Sequence, residues 1–376
     1  MGRRSRLLAI VGVVGALVAS TTAGAAAQEP VGLERAREAK ARYANELFAT
    51  SGVVGVGITA GGSASEIIVL TSRAVAGLPK KLDGVRVTAV VTGPIRAGHH
   101  RPNHDSGPPE ATTTTSSSTT STTAPSTTTT QPTTTTTLPP TTSTDPKSRF
   151  DAPVPIGIST GPAGECSAGT LGVELTTAGG DVGLSNNHVW ARENAAETGA
   201  AVYQPGSYDT GCTASAVNLL GTLVAYVPLR FEGSCASGGG DNVVDAAIAS
   251  PTSRAITNTT PTDGYGTVST TVAPPAPGQA VQKYGRTSTL TTGTVLAIDV
   301  DVNVRYSTGT ACFRDQIMVQ GQKPFLKAGD SGSLLVTAAE NRPVGLLFAA
   351  DNSGKNAFAN PIADVLGAFS ATVSSG

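Results

Sequence analysis

The rhythm of apolar and polar positions divides the chain into four stretches. The first stretch is a basic tip, Arg3, Arg4 and Arg6, then an apolar run from Leu7 to Val18, then Ala25, Ala26 and Ala27 before Gln28. Basic residues, an apolar stretch and a small-residue site in that order predict a cleaved export signal over 1–27, with the Arg3-Arg4 pair as a weak twin-arginine feature. The second stretch, 28–97, mixes two periods. "LERAREAKARYANELF" puts Leu33, Ala36, Tyr43 and Leu47 on one side, the spacing of a helix. "VVGVGIT", "EIIVLTS" and "VRVTAVV" read as strands, the last alternating Val85, Val87, Ala89 and Val91 on one face. A small α/β unit is expected there.

The third stretch has no apolar period at all. Residues 111–144 are almost wholly Thr, Ser and Pro, with too little apolar surface to offset the entropy of ordering. A disordered linker is expected over 98–149, in an exported chain a candidate for O-glycosylation. His99, His100 and His104 cluster at its start and are read as a solvated linker entry rather than a metal site. The fourth stretch, 150–376, returns to short apolar runs separated by Gly, Asn, Asp and Pro. "TLGVELTT", "GTVLAIDVDVNVRY", "GSLLVT" and "PVGLLFAA" are examples, and helical spacing is scarce until "NPIADVLGAF". Many short strands over that length predict an all-β barrel or sandwich, or two barrels in tandem.

Composition sharpens this picture. A net charge of −1 over 376 residues offers no basic face for nucleic acid. Four cysteines, Cys166, Cys212, Cys235 and Cys312, contain no CxxC pair and suit two disulfides of an exported protein. Nearness in sequence favours Cys212 with Cys235.

The candidate chemistry lies in the β region. Its only histidine is His188, in "LSNNHV". "KAGDSGSLLV" places Ser331 between an aspartate and a glycine. A serine needs an adjacent base to act as a nucleophile at neutral pH, and the base needs an acid to fix its tautomer. Asp245 opens the apolar run of "VDAAIA", where a carboxylate needs a partner, and is preferred on that ground to Asp241 in the Gly-rich turn before it.

The order His, Asp, Ser in these three motifs resembles the trypsin-like (chymotrypsin-fold) serine peptidases of the divergent exported bacterial type. The resemblance covers about 152–370. It implies an all-β double barrel with the site between barrels, His188 and Asp245 from the first and Ser331 from the second. It also implies an oxyanion hole from the N–H groups of Gly329 and Ser331, and a loop-structuring rather than catalytic Asp330. No "Ile-Val-Gly-Gly" start is present to supply an amine to Asp330, so Arg286 is the expected partner. Phe325, six residues before the nucleophile, and Leu347 and Phe348 in "GLLFAAD" would line a specificity pocket for an apolar or small residue.

The expected protein is thus a secreted or cell-surface serine endopeptidase acting on proteins or peptides, with no cofactor, no metal and no nucleic-acid partner. A catalytically silent protease-fold binding or scaffold protein and a serine esterase are the alternatives. The 28–97 unit would be a pro-domain that contacts the catalytic domain, or a module for cell-surface attachment.

Overall fold

The computed structural model describes residues 31–62, 64–98, 144–236 and 241–375. The export signal, the histidine cluster and nearly all of the Thr/Ser/Pro-rich stretch lie outside the described residues.

Strand propensity and Gly-rich turns build two β systems. The second of them, in chain order, is a closed ring of six antiparallel strands. Ala280–Gly285 pairs with Thr289–Arg305, which pairs with Thr310–Gln320. The ring continues through Asn356–Pro361, Pro343–Asp351 and Leu334–Thr337, and the last returns to Ala280–Gly285. Closure leaves no free edge within this ring. Its interior is packed with Val281, Val295, Ile317, Val319, Leu335 and Leu347, among others.

The first β system is an open, curled sheet of eight strands. Its hairpin, Val173–Thr177 with Gly180–Ser185, carries the edge strand Thr372–Val373 on one side and is followed on the other by Ala247–Pro251, Leu219–Tyr226, Ala201–Tyr203, Ser159–Pro162 and Gly169–Thr170. Its own core is built on Val173, Leu184, Trp190, Val202 and Ile248. The two systems meet where Thr170 donates to the carbonyls of Gly329 and Ser331 and where Asp245 N–H donates to Asn360, so Asp245 and Ser331 lie along this seam.

Residues 31–98 do not form a sheet of their own. The helix Leu33–Ala49 buries Leu33, Ala36, Ala39, Ala44, Leu47 and Phe48. Its neighbour, Val53–Gly61, pairs antiparallel with Thr289–Arg305 of the closed ring, so Ala64–Thr71 and Val85–Val91 extend that sheet outward. Ion pairs reinforce the seam: Lys40 with Asp301 at 2.9 Å, both nearly buried, and Arg37 with Asp299 at 2.8 Å. Finally, Ile95–Ala97 inserts between two strands of the ring, parallel to Thr289–Arg305 and antiparallel to Pro343–Asp351.

The disulfides are Cys166–Cys212 and Cys235–Cys312. This corrects the pairing favoured by sequence proximity. Cys235 is buried against Cys312 of the Thr310–Gln320 strand, its N–H donating to Asn303, while Cys212 closes the loop beside Cys166.

Candidate active site

Each predicted site residue owes its position to a short polar segment at the end of a strand. Gly180–Ser185 runs straight into a single helical turn, Asn187–Trp190, which holds His188. The turn is fixed from both sides. Asn187 Nδ2 donates to the Val227 carbonyl, and the Trp190 indole N–H donates to Thr160. Asp245 stands two residues before Ala247–Pro251. Its carbonyl accepts from Asn186 Nδ2, and its N–H donates to Asn360 Oδ1 from the closed ring.

His188 and Asp245 are wholly buried and in contact. His188 Nδ1 lies 2.5 Å from Asp245 Oδ2, and the His188 backbone N–H donates to Asp245 Oδ1 at 3.1 Å. An ionised carboxylate can only accept, so this bond places the ring proton on Nδ1 and leaves Nε2 as the basic nitrogen. A third donor completes the carboxylate's shell: the Tyr306 hydroxyl reaches Oδ2 at 2.8 Å. Burial, together with the Asp245 charge, pushes the Tyr306 phenol well above its ordinary range, so it remains a donor. Its ring stands edge-on to His188 at 5.8 Å and stacks on Phe313, which in turn packs on Phe348.

Tyr306 was not among the residues singled out from sequence. It follows a long strand in "NVRYSTG", and no spacing distinguishes it from a surface tyrosine. Glu193 was also missed. Its carboxylate accepts from the Ser307 hydroxyl and from the N–H groups of Ser307 and Thr308, which pins the turn that carries Tyr306. Burial alone would raise Glu193, but those donors outweigh it and hold the carboxyl at about 2.

Ser331 sits in a tight loop with left-handed glycines on either side, Gly329 at φ 90° and Gly332 at φ 94°. Both conformations are costly for any residue with a Cβ. At Gly332 a Cβ would also lie 2.2 Å from the Thr170 carbonyl and 2.3 Å from Ser185 Oγ. The close approach brings the Ser331 loop onto the first sheet. Thr170 N–H donates to the Ser331 carbonyl and Thr170 Oγ1 to the Gly329 carbonyl, each at 2.8 Å. Gly169 is squeezed between the two halves, since a Cβ there would meet Val189 at 2.6 Å and the Ser331 carbonyl at 3.1 Å. The residue that follows His188 and the loop of Ser331 are therefore separated by one glycine.

Asp330 is buried and saturated with donors. Oδ1 accepts from Thr287 and Ser288 N–H, and Oδ2 from Lys327 N–H and the Ser288 hydroxyl. Its cationic partner is Lys283 at 3.2 Å, both side chains fully buried. Burial works against the Asp330 charge, but the Lys283 ammonium and these donors outweigh it and hold the carboxyl below its usual value. Arg286, the expected partner, instead forks onto Asp209 of the helical turn Ser207–Thr210. The reason is strand parity: Lys283 shares the inward face with Val281 and Gly285, whereas Arg286 lies past the strand end.

The residues expected to line a pocket are core residues here. Phe325 and Leu347 are buried in the cluster that fills the closed ring, and Phe348 belongs to the aromatic stack behind Tyr306. Asp241, set aside in favour of Asp245, pairs with Arg314 at the surface.

A family model described as the Nal1 C-terminal domain matches residues 269–360, about a quarter of the chain. No curated protein matches. Among solved structures, Thermobifida fusca protease A is similar over 59% of this chain and 99% of its own, at 20% identity and a TM-score of 0.42. Cellulomonas bogoriensis chymotrypsin gives the same coverages and identity with a TM-score of 0.40. Nocardiopsis protease covers likewise at 17% identity and 0.41. These likenesses are too distant to carry residue roles, which rest below on this chain's own geometry.

Proposed function

We propose that the chain is an exported serine endopeptidase that cleaves peptide bonds through an acyl-enzyme. The observation that carries this reading is the buried His188–Asp245 pair, locked by three donors on the carboxylate, with Val189, the next residue, one glycine away from the Ser331 loop. A histidine with its Nδ1 proton committed to a carboxylate presents a basic Nε2, the requirement for deprotonating a hydroxyl. In the proposed reaction Ser331 Oγ attacks the substrate carbonyl, His188 takes its proton and returns it to the leaving amine, and water then releases the acyl group. Gly329 N–H, with that of Ser331, would stabilise the oxyanion; each such donor is worth about 3–4 kcal/mol of barrier. Asp330 shapes the loop and takes no part in proton transfer. The two disulfides and the expected signal over 1–27 fit an oxidising, extracellular setting.

A catalytically silent binding protein is the second reading. One observation favours it: Ser331 is only 1% exposed, and the chain's own residues 95–98 cover it. Labelling of the purified protein with a fluorophosphonate probe separates the two. Ser331 should label in the parent and lose the label in Ser331→Ala and His188→Ala. A parent that stays unlabelled at any probe concentration would overturn the enzyme reading. Peptide and ester substrates presented side by side then decide between endopeptidase and esterase.

A further inference from the structure

A cavity of about 170 Å³ lies where residues 31–98 join the closed ring. Val54, Pro94 and Ile95 give it an apolar wall from the N-terminal side. Asn303, Arg305 and Thr310 of the ring give it a polar one. Ser72 also lines the cavity, but its hydroxyl is committed to the Gly52 carbonyl at 3.2 Å. No aspartate or glutamate is among the lining residues.

The polar wall consists of donors without acceptors. Among the described residues the Arg305 guanidinium makes no ion pair and no hydrogen bond, and the Thr310 hydroxyl is unpartnered as well. Asn303 Oδ1 accepts from the Cys235 N–H at 2.7 Å, which leaves its NH₂ group as the free end of that amide. A second cation stands beside these. Arg96 is in register with Arg305 on the neighbouring strand, and both are exposed on the face opposite the buried pair Ile95 and Val304. Like charges directly across a strand pair repel, so this face lacks an anion. Glu232 does not supply it: it bridges Thr310 from the side away from Arg305 and forms an ion pair with neither arginine.

We propose that this cavity binds a small carboxylate carrying an apolar body of about six carbons. An apolar cavity of roughly 150 Å³ accommodates benzene, which sets the size of the body. The carboxylate accepts from the Arg305 guanidinium, whose planar fork matches its two oxygens, and from the Asn303 amide and the Thr310 hydroxyl. The body packs on Val54 and Pro94. None of these side chains bonds to Ser331, His188 or Asp245, so the site is independent of the peptidase reading. Its position still bears on the candidate active site. Arg305 and Thr310 are paired at the base of the turn that presents Tyr306 to Asp245. A carboxylate held by both ties together the two strand ends on which that turn stands.

The test titrates the full chain with benzoate, followed by ligand-observed NMR, beside benzamide and inorganic phosphate. Benzoate should bind with a dissociation constant on the order of 1–10 mM, which about nine non-hydrogen atoms reach at ordinary ligand efficiency. Benzamide, with the same shape and no charge, and phosphate, with charge and no apolar body, should each bind at least about tenfold more weakly. Arg305→Gln should weaken benzoate at least about tenfold, and Val54→Phe should abolish binding by filling the cavity while keeping the wall apolar. Thr310→Val, on a different strand, should weaken it about threefold and keeps the test open if another variant fails to fold. Benzoate should also slow amide hydrogen exchange across 306–310. Affinity unchanged in Arg305→Gln and Thr310→Val overturns the inference. So does phosphate binding as tightly as benzoate, which would mark an unspecific anion patch. Protection that appears elsewhere and not across 306–310 places the ligand at another site and overturns it too, as does the absence of any benzoate binding.

Discussion

Replacing Lys283 with methionine should cost about 3 kcal/mol of folding stability. In the folded protein the Lys283 ammonium sits 3.2 Å from Asp330 Oδ2 with no exposed surface on either side chain. Removing one member of a buried pair typically costs 3–5 kcal/mol, because the other charge is left without compensation. The lower end applies here. Asp330 keeps four further donors, from Thr287, Ser288 twice and Lys327. Methionine matches the lysine stem in volume, so no cavity adds to the loss. The measurement is urea unfolding at pH 7, followed by far-UV circular dichroism and by the fluorescence of Trp190, the single tryptophan. The double variant Lys283→Met/Asp330→Asn should lose no more than the single one. Asparagine still accepts from Thr287 and Ser288, and only the Lys327 N–H is left facing a donor. A coupling of about 2 kcal/mol between the sites is therefore expected.

The pH dependence has a definite sign. The Asp330 carboxyl is held below its unfolded value in the parent. Its contribution is therefore fully present above the unfolded carboxylate pKa, about 3.9, and is lost as pH falls through the folded value. Without Lys283, burial dominates and the depression disappears. The gap between parent and Lys283→Met should be widest near neutrality and should narrow as pH drops below about 4. A loss under about 1 kcal/mol at pH 7, or a gap that widens in acid, would refute the reasoning.

Two further predictions concern the residues behind His188. Tyr306→Phe keeps the ring against Phe313 but removes the third donor on Asp245; it should lower kcat/KM for a peptide substrate about tenfold, through kcat, while thermal stability falls by no more than about 1.5 kcal/mol. An unchanged kcat would remove Tyr306 from the site's support. Glu193, depressed from 4.5 to about 2, stabilises the fold above pH 4.5, and that stabilisation should fade between pH 4.5 and 2. Acid titration of Glu193→Gln should show a shallower decline across that window than the parent, and parallel curves would count against the clamp on Ser307 and Thr308.

What could be read from sequence, and what could not, follows from the range of each interaction. The strand content of 150–376 is written in local alternation, as in Val300, Val302 and Val304, all buried. His188, Asp245 and Ser331 could be singled out because their chemistry is rare in that stretch: one histidine, one carboxylate leading an apolar run, one serine in a Gly-bounded turn. Tyr306, Glu193 and Lys283 act across 61, 114 and 47 residues of chain or more, onto partners that no local period marks. Lys283 did leave a trace, since it occupies an inward position of a strand whose neighbours on that face are Val281 and Gly285. A lysine there requires an anion inside, and Asp330 is the buried one. Cysteine pairing failed for the same reason, because strand order, not separation along the chain, decides which sulfurs meet.

Strand order also decides whether residues 144–376 can stand alone. Their long strand, Thr289–Arg305, uses one edge for Val53–Gly61 and Ile95–Ala97. Its side chains Val300, Val302 and Val304 share a core with Ile68, Leu70 and Ile95. Deleting 1–98 would uncover that core and leave Asp301, now paired with Lys40, facing Arg314 alone. A long apolar edge without a partner recruits other copies of itself. Residues 144–376 expressed alone should therefore associate or unfold without cooperativity. Adding residues 28–98 as a separate chain should restore a soluble one-to-one complex with the melting temperature of the parent. An isolated 144–376 chain that stays monomeric and melts at the parent's temperature would show that the shared sheet is a contact of convenience. It would also make 28–98 a removable inhibitor rather than part of the fold.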